Sequence, residues 1–379
     1  MFLKIEKISV QIYLLHIKKR AMTYNIKKYP ITKSRISTID FDNIPFGRIF
    51  SDHIFIADYF DGEWRNLRIE PYEKMAFSPA NMTLHYGQAI FEGLKVTSDK
   101  DNNPLFLRLE QHAKRLNRSA DRMAIPSIPE DLFKQAVMEL VDTDRQWIPK
   151  GDDTALYLRP FVFAADDYIG VKPSETYTFM IFTCPVGAYY SAPVSITTMP
   201  DYVRAFPGGT GYAKAAGNYA GSLRPMLEAR EKGYDQVMWL DGIEKKYIHE
   251  CGTMNLMFVI DDVIVTPPTN TGEILSGITR DSIITIFKAA GFKVEERPIT
   301  IDELIEAYNA GKVQEAFGTG TAAVVSQITK IAHGDVVMDL PAVEDRKYSH
   351  YAKAEIVAIR KGEKDPFGWI EKIPVPAMV

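Results

Sequence analysis

The chain has 379 residues, of which 46% are hydrophobic and 25% charged, the composition of a globular protein long enough for two domains. Its net charge of −4, without a basic stripe interleaved with aromatic residues, argues against a nucleic-acid binder. Cys184 and Cys251 are the two cysteines, and both lie in apolar runs. This argues against a disulfide scaffold and indicates a reducing compartment, so we expect a cytoplasmic protein. The seven histidines lack the spacing of metal ligands, and no metal site is predicted.

The segment of the first 21 residues has a net positive charge, with Glu6 as its only acidic residue. It contains one short apolar run, from Ile8 to Ile17. That run is too short to span a membrane, and no small-residue cleavage site follows it. We therefore predict neither a membrane anchor nor a signal peptide. Because Met22 has the character of a second start, we interpret residues 1–21 as a tail or a misassigned start. An organellar presequence is the alternative.

Turn and periodicity signals predict a hairpin, two helices and two buried strands in the first half of the chain. The run from His53 to Tyr59, followed by Asp61-Gly62, indicates a β-hairpin. Apolar residues at helical spacing predict helices over 109–123 and 130–144. Apolar, β-rich runs predict strands over 154–165 and 176–183. The following segment contains Pro193 and Pro200, and we expect it to connect two domains.

The second half mixes both kinds of element and predicts an α/β (α+β) fold. A helical pattern over 218–232 contains Pro225, so we expect that helix to begin near the proline. The other predictions are strands over 236–241, 256–260 and 263–266 and helices over 279–290 and 301–309.

Lys214 is the most informative residue of the chain. Its neighbours are Ala213 and Ala215 in a glycine-bounded run, and no carboxylate lies beside it. Small neighbours allow a flat ring to approach the amine closely. Partial desolvation favours the uncharged amine, which can form a Schiff base. Taken alone, Lys214 has an ordinary surface lysine as its alternative interpretation.

Three further blocks follow Lys214: His249-Glu250-Cys251-Gly252-Thr253-Met254-Asn255, Leu275-Ser276-Gly277-Ile278-Thr279-Arg280 and Phe317-Gly318-Thr319-Gly320-Thr321-Ala322-Ala323. In this order the blocks resemble the fold-type-IV pyridoxal-phosphate enzymes, and most closely the branched-chain amino-acid aminotransferases. The resemblance extends from about Tyr24 onward. It implies two domains, a small N-terminal α/β domain over 22–187 and a larger cofactor-binding domain over 202–379, joined by a loop over 188–201.

The resemblance implies pyridoxal 5′-phosphate as cofactor. Lys214 would bind its aldehyde and then move the proton as general base and acid. Glu250 would pair with the pyridine N–H, and Tyr219 would bond the 3′-oxygen. The alternatives are a solvent-facing strand end for Glu250 and a core aromatic for Tyr219.

The start of a predicted helix offers a site for the phosphate group of the cofactor. Ser276-Gly277 precedes the helix predicted to start at Thr279, so the N–H groups of Ile278 and Thr279 are free to bind an anion. The resemblance adds Arg115, Thr253 and Thr321 to the cofactor contacts. The alternative is that Arg115 belongs to a solvated stripe of the helix together with Arg118 and Arg122. We expect Arg118 and Arg122 to be solvated in this way.

The run from Gly318 to Ala323 also fits a dinucleotide-binding fingerprint, with Asp339 at about the right distance. That fingerprint must open a helix, whereas the β-branched run over 324–329 predicts a strand. In the family that the chain resembles, the N–H groups of Thr321 and Ala322 hold the substrate's α-carboxylate, a role that suits a glycine-rich turn.

The substrate pocket is implied by the resemblance. Arg159 would accept the distal carboxylate of glutamate, and Tyr86, with the loop 169–171, would come from the partner subunit of a homodimer. With Ala323 and Ser326 where some relatives have paired cysteines, we expect no thiol regulation there. The aromatic wall around a branched aliphatic side chain would consist of Phe46, Tyr86, Phe91, Tyr157 and Tyr219.

The predicted activity is amino-group exchange between leucine, isoleucine or valine and 2-oxoglutarate by a ping-pong mechanism. Rivals of the same fold are a D-amino-acid aminotransferase and an aminodeoxychorismate lyase. From a different class, the alternative is a non-catalytic regulator that binds pyridoxal phosphate or a dinucleotide.

Overall fold

The computed structural model describes residues 24–151, 153–187 and 192–373, and the strands of these ranges form two nine-stranded sheets. The tail predicted over 1–21 lies outside the described residues. The strands are β1 Lys27–Lys28, β2 His53–Phe60, β3 Glu63–Pro71, β4 Ala89–Phe91, β5 Leu94–Ser98, β6 Pro104–Leu107, β7 Ala155–Ala164, β8 Tyr177–Val186, β9 Val194–Thr198, β10 Gln236–Leu240, β11 Ile248–Cys251, β12 Met254–Ile260, β13 Val263–Thr266, β14 Lys293–Glu296, β15 Val313–Gly320, β16 Val324–His333, β17 Val336–Asp339 and β18 Ile370–Lys372.

The helices occur between these strands along the chain. They are α1 Met82–Tyr86, α2 Leu109–Arg122, α3 Glu130–Thr143, α4 Ala216–Ala220, α5 Leu223–Glu231, α6 Ile278–Ala289, α7 Ile301–Asn309 and α8 Tyr348–Arg360. Among the described residues, no helix combines the length and the apolar character that crossing a membrane requires.

The first sheet has the order β1-β3-β2-β8-β7-β5-β6-β18, with β4 added beside β7. The predicted hairpin of β2 and β3 is confirmed, and its turn residues Asp61 and Gly62 both have positive φ. Helices α2 and α3 cover one face of the sheet, where Phe106, Phe133 and Trp147 are fully buried. These two helices do not cover the opposite face of the sheet.

Alternation along β7 determines which side chains that opposite face presents. Leu156 and Leu158 point into the helix-covered core. Tyr157, Arg159 and Phe161 belong to the other face, since successive side chains of a strand alternate between the two faces. One strand thus supplies both core packing and three side chains of a cavity.

The second sheet closes on itself. Its order is β11-β10-β9-β16-β15-β12-β13-β14, with β17 beside β16, and β11 pairs with β12 as well as with β10. Six strands therefore form a ring. Leu256 and Phe258 of β12 pack in one core cluster, and Met257 and Val259 pack in another with Phe287 of α6. The sheet is accordingly buried on both faces at β12.

Two predicted boundaries differ from the structure. Residues 194–198 of the expected loop over 188–201 form β9, which pairs with both β10 and β16, so Pro193 and Pro200 flank a strand. Its side chains Val194 and Ile196 are buried, and this burial favours the strand. Helix α5 begins at Leu223, two residues before Pro225. The proline is tolerated in the first turn because the N–H groups there have no acceptor within the helix. The other predicted helices and strands are confirmed, with ends shifted by a few residues.

Candidate active site

A cavity of about 610 Å³ is lined by residues of both sheets. Twelve of the predicted site residues line it, whereas Glu250 and Tyr86 do not. The twelve are Phe46, Phe91, Arg115, Tyr157, Arg159, Lys214, Tyr219, Thr253, Ile278, Thr279, Thr321 and Ala322.

Lys214 is held in place by its backbone. Its N–H donates to Ser119 Oγ at 2.9 Å, and its carbonyl accepts from the N–H of Phe91 at 3.0 Å. The half-buried side chain donates from Nζ to the Tyr219 hydroxyl at 2.7 Å, and Nζ lies 4.6 Å from the centroid of the Phe91 ring. Lys214 is therefore a positioned amine that faces a cavity and not an ordinary surface lysine.

Glu250 lies in a small pocket that shares Tyr219, Thr253, Asn255 and Leu275 with the main cavity. The residue is only 4% exposed, so the alternative of a solvent-facing strand end is wrong. Its carboxylate accepts hydrogen bonds from Leu275 N at 2.9 Å and Asn255 Nδ2 at 3.1 Å. Burial raises the pKa of Glu250, and the opposing effects of its neighbours only reduce that rise.

Arg204 is the strongest of those neighbours, and it was not among the predicted site residues. Its Nη2 lies 3.0 Å from Glu250 Oε2, and it also donates to the carbonyl of Glu273. The Nε atom is buried without a hydrogen-bond partner among the described residues. No motif marks Arg204, since it precedes a glycine-rich loop and reaches Glu250 only through the fold.

The amino end of α6 opens into the cavity. The helix begins at Ile278 with Gly277 as its N-cap, and no side chain caps it. A Cβ at residue 277 would lie 1.9 Å from Asn255 Oδ1, so a side chain there would displace the Asn255 amide, which donates to Glu250 and to the carbonyl of Leu275. The first N–H groups of α6 thus remain available to an anion, as the sequence predicted.

Arg115 faces the same end of the cavity and is buried, which contradicts the solvated-stripe alternative. Its Nη1 donates to the carbonyl of Ser276 at 3.2 Å. Arg118 is exposed as expected, but Arg122 is half-buried and donates to the carbonyls of Gly208 and Gly209.

Glu92 is a further residue of the site that no sequence signal indicated, although it directly follows Phe91. It is fully buried and accepts from Arg115 through both carboxylate oxygens and from His112 Nδ1 at 2.8 Å. Burial alone would raise the pKa of Glu92, but the charge of Arg115 and the hydrogen bonds from Arg115 and His112 hold it well below its usual range. Glu92 is consequently an ionised partner for Arg115.

The turn between β15 and β16 forms another wall. Thr321, Ala322 and Ala323 line the cavity, and the carbonyl of Ala322 accepts from Lys95 Nζ at 2.7 Å. The next residue, Val324, has a φ of +61°, a backbone conformation that is rare for a β-branched side chain. Because this turn leads into strand β16, the dinucleotide fingerprint is wrong: its glycines open no helix.

An aromatic wall closes the remaining side. The ring centroids of Phe46 and Tyr157 are 5.5 Å apart, and those of Phe91 and Tyr219 are 4.7 Å apart. The Arg159 guanidinium carbon lies 4.6 Å from the Phe91 ring centroid, and Nη2 donates to the Tyr157 hydroxyl at 3.0 Å. Arg159 Nε is buried without a hydrogen-bond partner, and Arg159 forms no ion pair with the described residues.

Tyr86 ends α1 and is 38% exposed. It is not among the residues that line the cavity. Ile169 and Val171 of the loop 169–171 are also exposed, Val171 at 90%, and neither lines the cavity. That these residues complete the site of a partner subunit stays a prediction.

Both cysteines are buried and free. Burial raises the pKa of Cys184 to about 11, and burial, followed by the charge of Glu250, raises the pKa of Cys251. Thiolates are therefore scarce at neutral pH at both positions. Among the described residues, no group of three or more histidine, cysteine or acidic side chains is arranged to hold a metal ion.

Comparison with known proteins agrees with this geometry. The family described as "Amino-transferase class IV" matches residues 89–331. "Branched-chain-amino-acid aminotransferase 2" of Bacillus subtilis (strain 168) is 44% identical over 357 residues, which are 93% of this chain and 98% of the relative. The chain thus belongs to the class IV aminotransferases and, within them, to the branched-chain amino-acid aminotransferases. The predicted family and fold class are confirmed.

Solved structures have the same fold. The branched-chain aminotransferase of the archaeon Thermoproteus uzoniensis, determined with norvaline, matches with a TM-score of 0.68 at 26% identity, over 84% of this chain and 99% of that one. The "T.th." branched-chain amino acid aminotransferase with pyridoxamine 5′-phosphate matches with a TM-score of 0.67 at 27% identity, over 86% and 99% of the two chains.

Proposed function

We propose that this protein reversibly transfers the amino group between L-leucine, L-isoleucine or L-valine and 2-oxoglutarate, using pyridoxal 5′-phosphate in a ping-pong cycle. The proposal rests on three groups that line one cavity. It holds the Lys214 amine, the uncapped end of α6, and an arginine, Arg159, without a carboxylate partner in an aromatic wall. A lysine, an anion site and a second cation suit a phosphorylated aldehyde and a dicarboxylic acid.

The described residues fit that cofactor. The N–H groups of Ile278 and Thr279 and the guanidinium of Arg115 would hold its phosphate, with Thr321 and Thr253 at the same cavity. Gly277 leaves close approach to the backbone open, and a side chain there would displace the Asn255 amide. Glu250 would pair with the ring nitrogen from its buried pocket. Arg204 supports that role because its charge opposes the burial that would neutralise the carboxylate.

When bound, pyridoxal 5′-phosphate supplies an electron-withdrawing ring that makes the Cα proton of the substrate removable. Lys214 Nζ would take and return that proton. The Tyr219 hydroxyl, 2.7 Å away, fixes where Nζ lies and would bond the ring's 3′-oxygen. Phe91 packs against Tyr219 and adds an apolar surface to this side of the cavity.

The substrate would lie between two fixed ends. The N–H groups of Thr321 and Ala322 would bind its α-carboxylate, as suits a turn at the cavity wall. Phe46, Phe91 and Tyr157 would enclose a branched aliphatic side chain. Arg159 would accept the distal carboxylate of glutamate or 2-oxoglutarate, so that the same pocket takes both kinds of substrate.

We further propose a cytoplasmic homodimer in which Tyr86 and the loop 169–171 of one protomer close the pocket of the other. Exposed apolar side chains near these positions support an interface: Leu84 is 64% exposed and Ile169 is 62% exposed. The two buried free thiols support a reducing compartment.

A substrate panel tests the function. L- and D-enantiomers of leucine, valine and alanine are offered with 2-oxoglutarate, and glutamate formation is measured. We expect turnover of the branched L-amino acids and loss of all turnover in Lys214→Ala, since the amine that binds the aldehyde and moves the proton is gone. Lys232→Ala, which removes an exposed lysine outside the cavity, is the matched control. Preference for D-alanine, or turnover retained in Lys214→Ala, would overturn the proposal.

A further inference from the structure

A second cavity of about 540 Å³ lies on the other side of the turn that walls the active site. Thr321, Ala322 and Ala323 line the first cavity, and the next residue, Val324, lines the second. Six basic and four acidic residues from several separate parts of the chain line it. The basic residues are Lys95, Lys100, Lys150, Arg360, Lys361 and Lys372, and the acidic residues are Asp99, Asp101, Asp153 and Glu363.

Arg360 is the residue that makes this cavity unusual. It ends α8, is only 9% exposed and lines the cavity. Within the described ranges its guanidinium has neither an ion pair nor a hydrogen bond, while its backbone carbonyl accepts from the Thr97 hydroxyl. Burial lowers the pKa of Arg360 to about 10, so the side chain remains charged at neutral pH. A buried, unpaired cation is costly, and a bound anion would remove that cost.

Lys95 adds a second cation at the same place. It lies on β5, and its pKa is lowered to about 7, first by burial and then by the charge of Arg360. The negative charge of Asp153 raises the pKa of Lys95 but does not offset the effect of burial. Asp99 of the same cavity is bound to Asn103 and Lys372. In the described part of the chain, neither Lys95 nor Arg360 has an acidic partner within ion-pair distance.

Lys95 also connects the two cavities. Its Nζ donates to the carbonyl of Ala322 at 2.7 Å, in the turn that would bind the substrate's α-carboxylate. The left-handed backbone of Val324, at +61°, shows that this turn is held in a strained conformation by its surroundings. A change in the bonding of Lys95 therefore acts directly on a strained segment that both cavities share.

We propose that the second cavity is a binding site for a small anion with a phosphate or carboxylate group, held by Arg360 and Lys95, and that its occupation raises the KM of the substrates. The anion competes with the Ala322 carbonyl for the Lys95 ammonium group and so loosens the turn. The effect on KM rests on the proposed function, whereas the binding of the anion does not.

Calorimetry of the holoenzyme tests the binding with two probes, inorganic phosphate and citrate, which separate the two sources of the anion. We expect at least one to bind, and we expect Arg360→Met to weaken its binding by at least about tenfold, as loss of a charge-assisted hydrogen bond requires. Arg360→Lys, which keeps the charge, should restore part of it. Arg118→Met, an exposed arginine of α2, is the matched control and should bind as wild type does. Arg159→Ala changes only the active-site cavity, so this variant should also bind the probe as wild type does.

Kinetics with and without the bound probe test the coupling. The KM of leucine should rise on addition of the probe in wild type and stay constant in Arg360→Met, with kcat little changed in both. Because Met removes a buried charge, Arg360→Met should melt no lower than wild type, which confirms that the variant is folded. The proposal is overturned if neither probe binds at about millimolar concentration, if Arg360→Met binds as tightly as wild type, or if a bound probe leaves the KM of leucine unchanged in the active enzyme. Binding without any transamination would overturn only the proposed function.

Discussion

Glu92 holds Arg115 by two parallel hydrogen bonds, of 2.7 Å from Nε to Oε1 and 2.9 Å from Nη2 to Oε2. This geometry leaves Nη1 to face the cavity, where it donates to the carbonyl of Ser276. The pair is fully buried, and His112 bonds the same carboxylate. A carboxylate outside its own helix therefore positions Arg115, and its structural role and its proposed anion-binding role need to be separated by experiment.

Removing Arg115 should weaken cofactor binding and also destabilise the protein. We expect Arg115→Ala to lose roughly 1.5–3 kcal/mol of affinity for pyridoxal 5′-phosphate, the contribution of one charge-assisted hydrogen bond. It also leaves the Glu92 carboxylate buried without its main partner. The double variant Arg115→Ala/Glu92→Gln should recover thermal stability but not affinity, measured by melting and by cofactor titration. Wild-type affinity in either variant would mean that Arg115 is only structural.

Glu250→Gln should retain the cofactor but slow turnover roughly 100-fold or more, since a neutral amide cannot keep the ring nitrogen protonated. The side-chain oxygen of glutamine can still accept from the N–H of Leu275, so the pocket should stay intact. Cofactor content by absorbance and kcat by glutamate formation are the measurements. Equal turnover in variant and wild type would remove Glu250 from the chemistry.

Arg159→Ala should impair the glutamate half-reaction much more than the leucine half-reaction, because only glutamate has a distal carboxylate. Single-turnover rates with each amino acid compare the two directly. Tyr157→Phe is the control: it removes the hydroxyl that accepts from Arg159 but keeps the charge and the ring. Equal losses in both half-reactions of Arg159→Ala would mean that the arginine only supports the aromatic wall.

The predicted residues that line the cavity are mostly ones marked by local backbone or by a compact motif. Gly277 and the start of α6 follow from short-range rules, and Lys214 stands out by its small neighbours. Arg204 and Glu92 could not be recognised in this way, because an ionic partner is chosen by tertiary contact and any arginine or glutamate has the same local signal. Strand β9 was missed for a similar reason: it pairs with two strands that are distant in sequence, and its flanking prolines were interpreted as a loop.

His249 should make stability depend on pH. Burial, and then the charge of Arg204, lowers the pKa of His249 from 6.5 to about 4. Between those values the unfolded chain takes up a proton that the folded chain does not, so stability falls as the pH drops from 6.5 to about 4, by up to about 3 kcal/mol. Well above pH 6.5 this residue is neutral in both states and contributes no pH dependence.

The check is the melting temperature of the wild-type holoenzyme and of His249→Gln across this window. Glutamine does not titrate, so the variant should lose less stability on acidification than wild type, whatever the carboxylates contribute to both. Parallel curves for the two proteins would show that His249 is protonated equally in the folded and unfolded states.

Strand β18 pairs with β6 at the edge of the first sheet, although the whole second sheet separates them in sequence. The carbonyl of Trp369 also accepts from the N–H of Arg108, and the Arg108 guanidinium lies over the Trp369 ring. During synthesis, the first sheet can fold long before its last strand exists. Until β18 is made, the outer edge of β6 offers unpaired N–H and carbonyl groups to any neighbouring chain, which makes that edge the place where a nascent or truncated protein is exposed to aggregation.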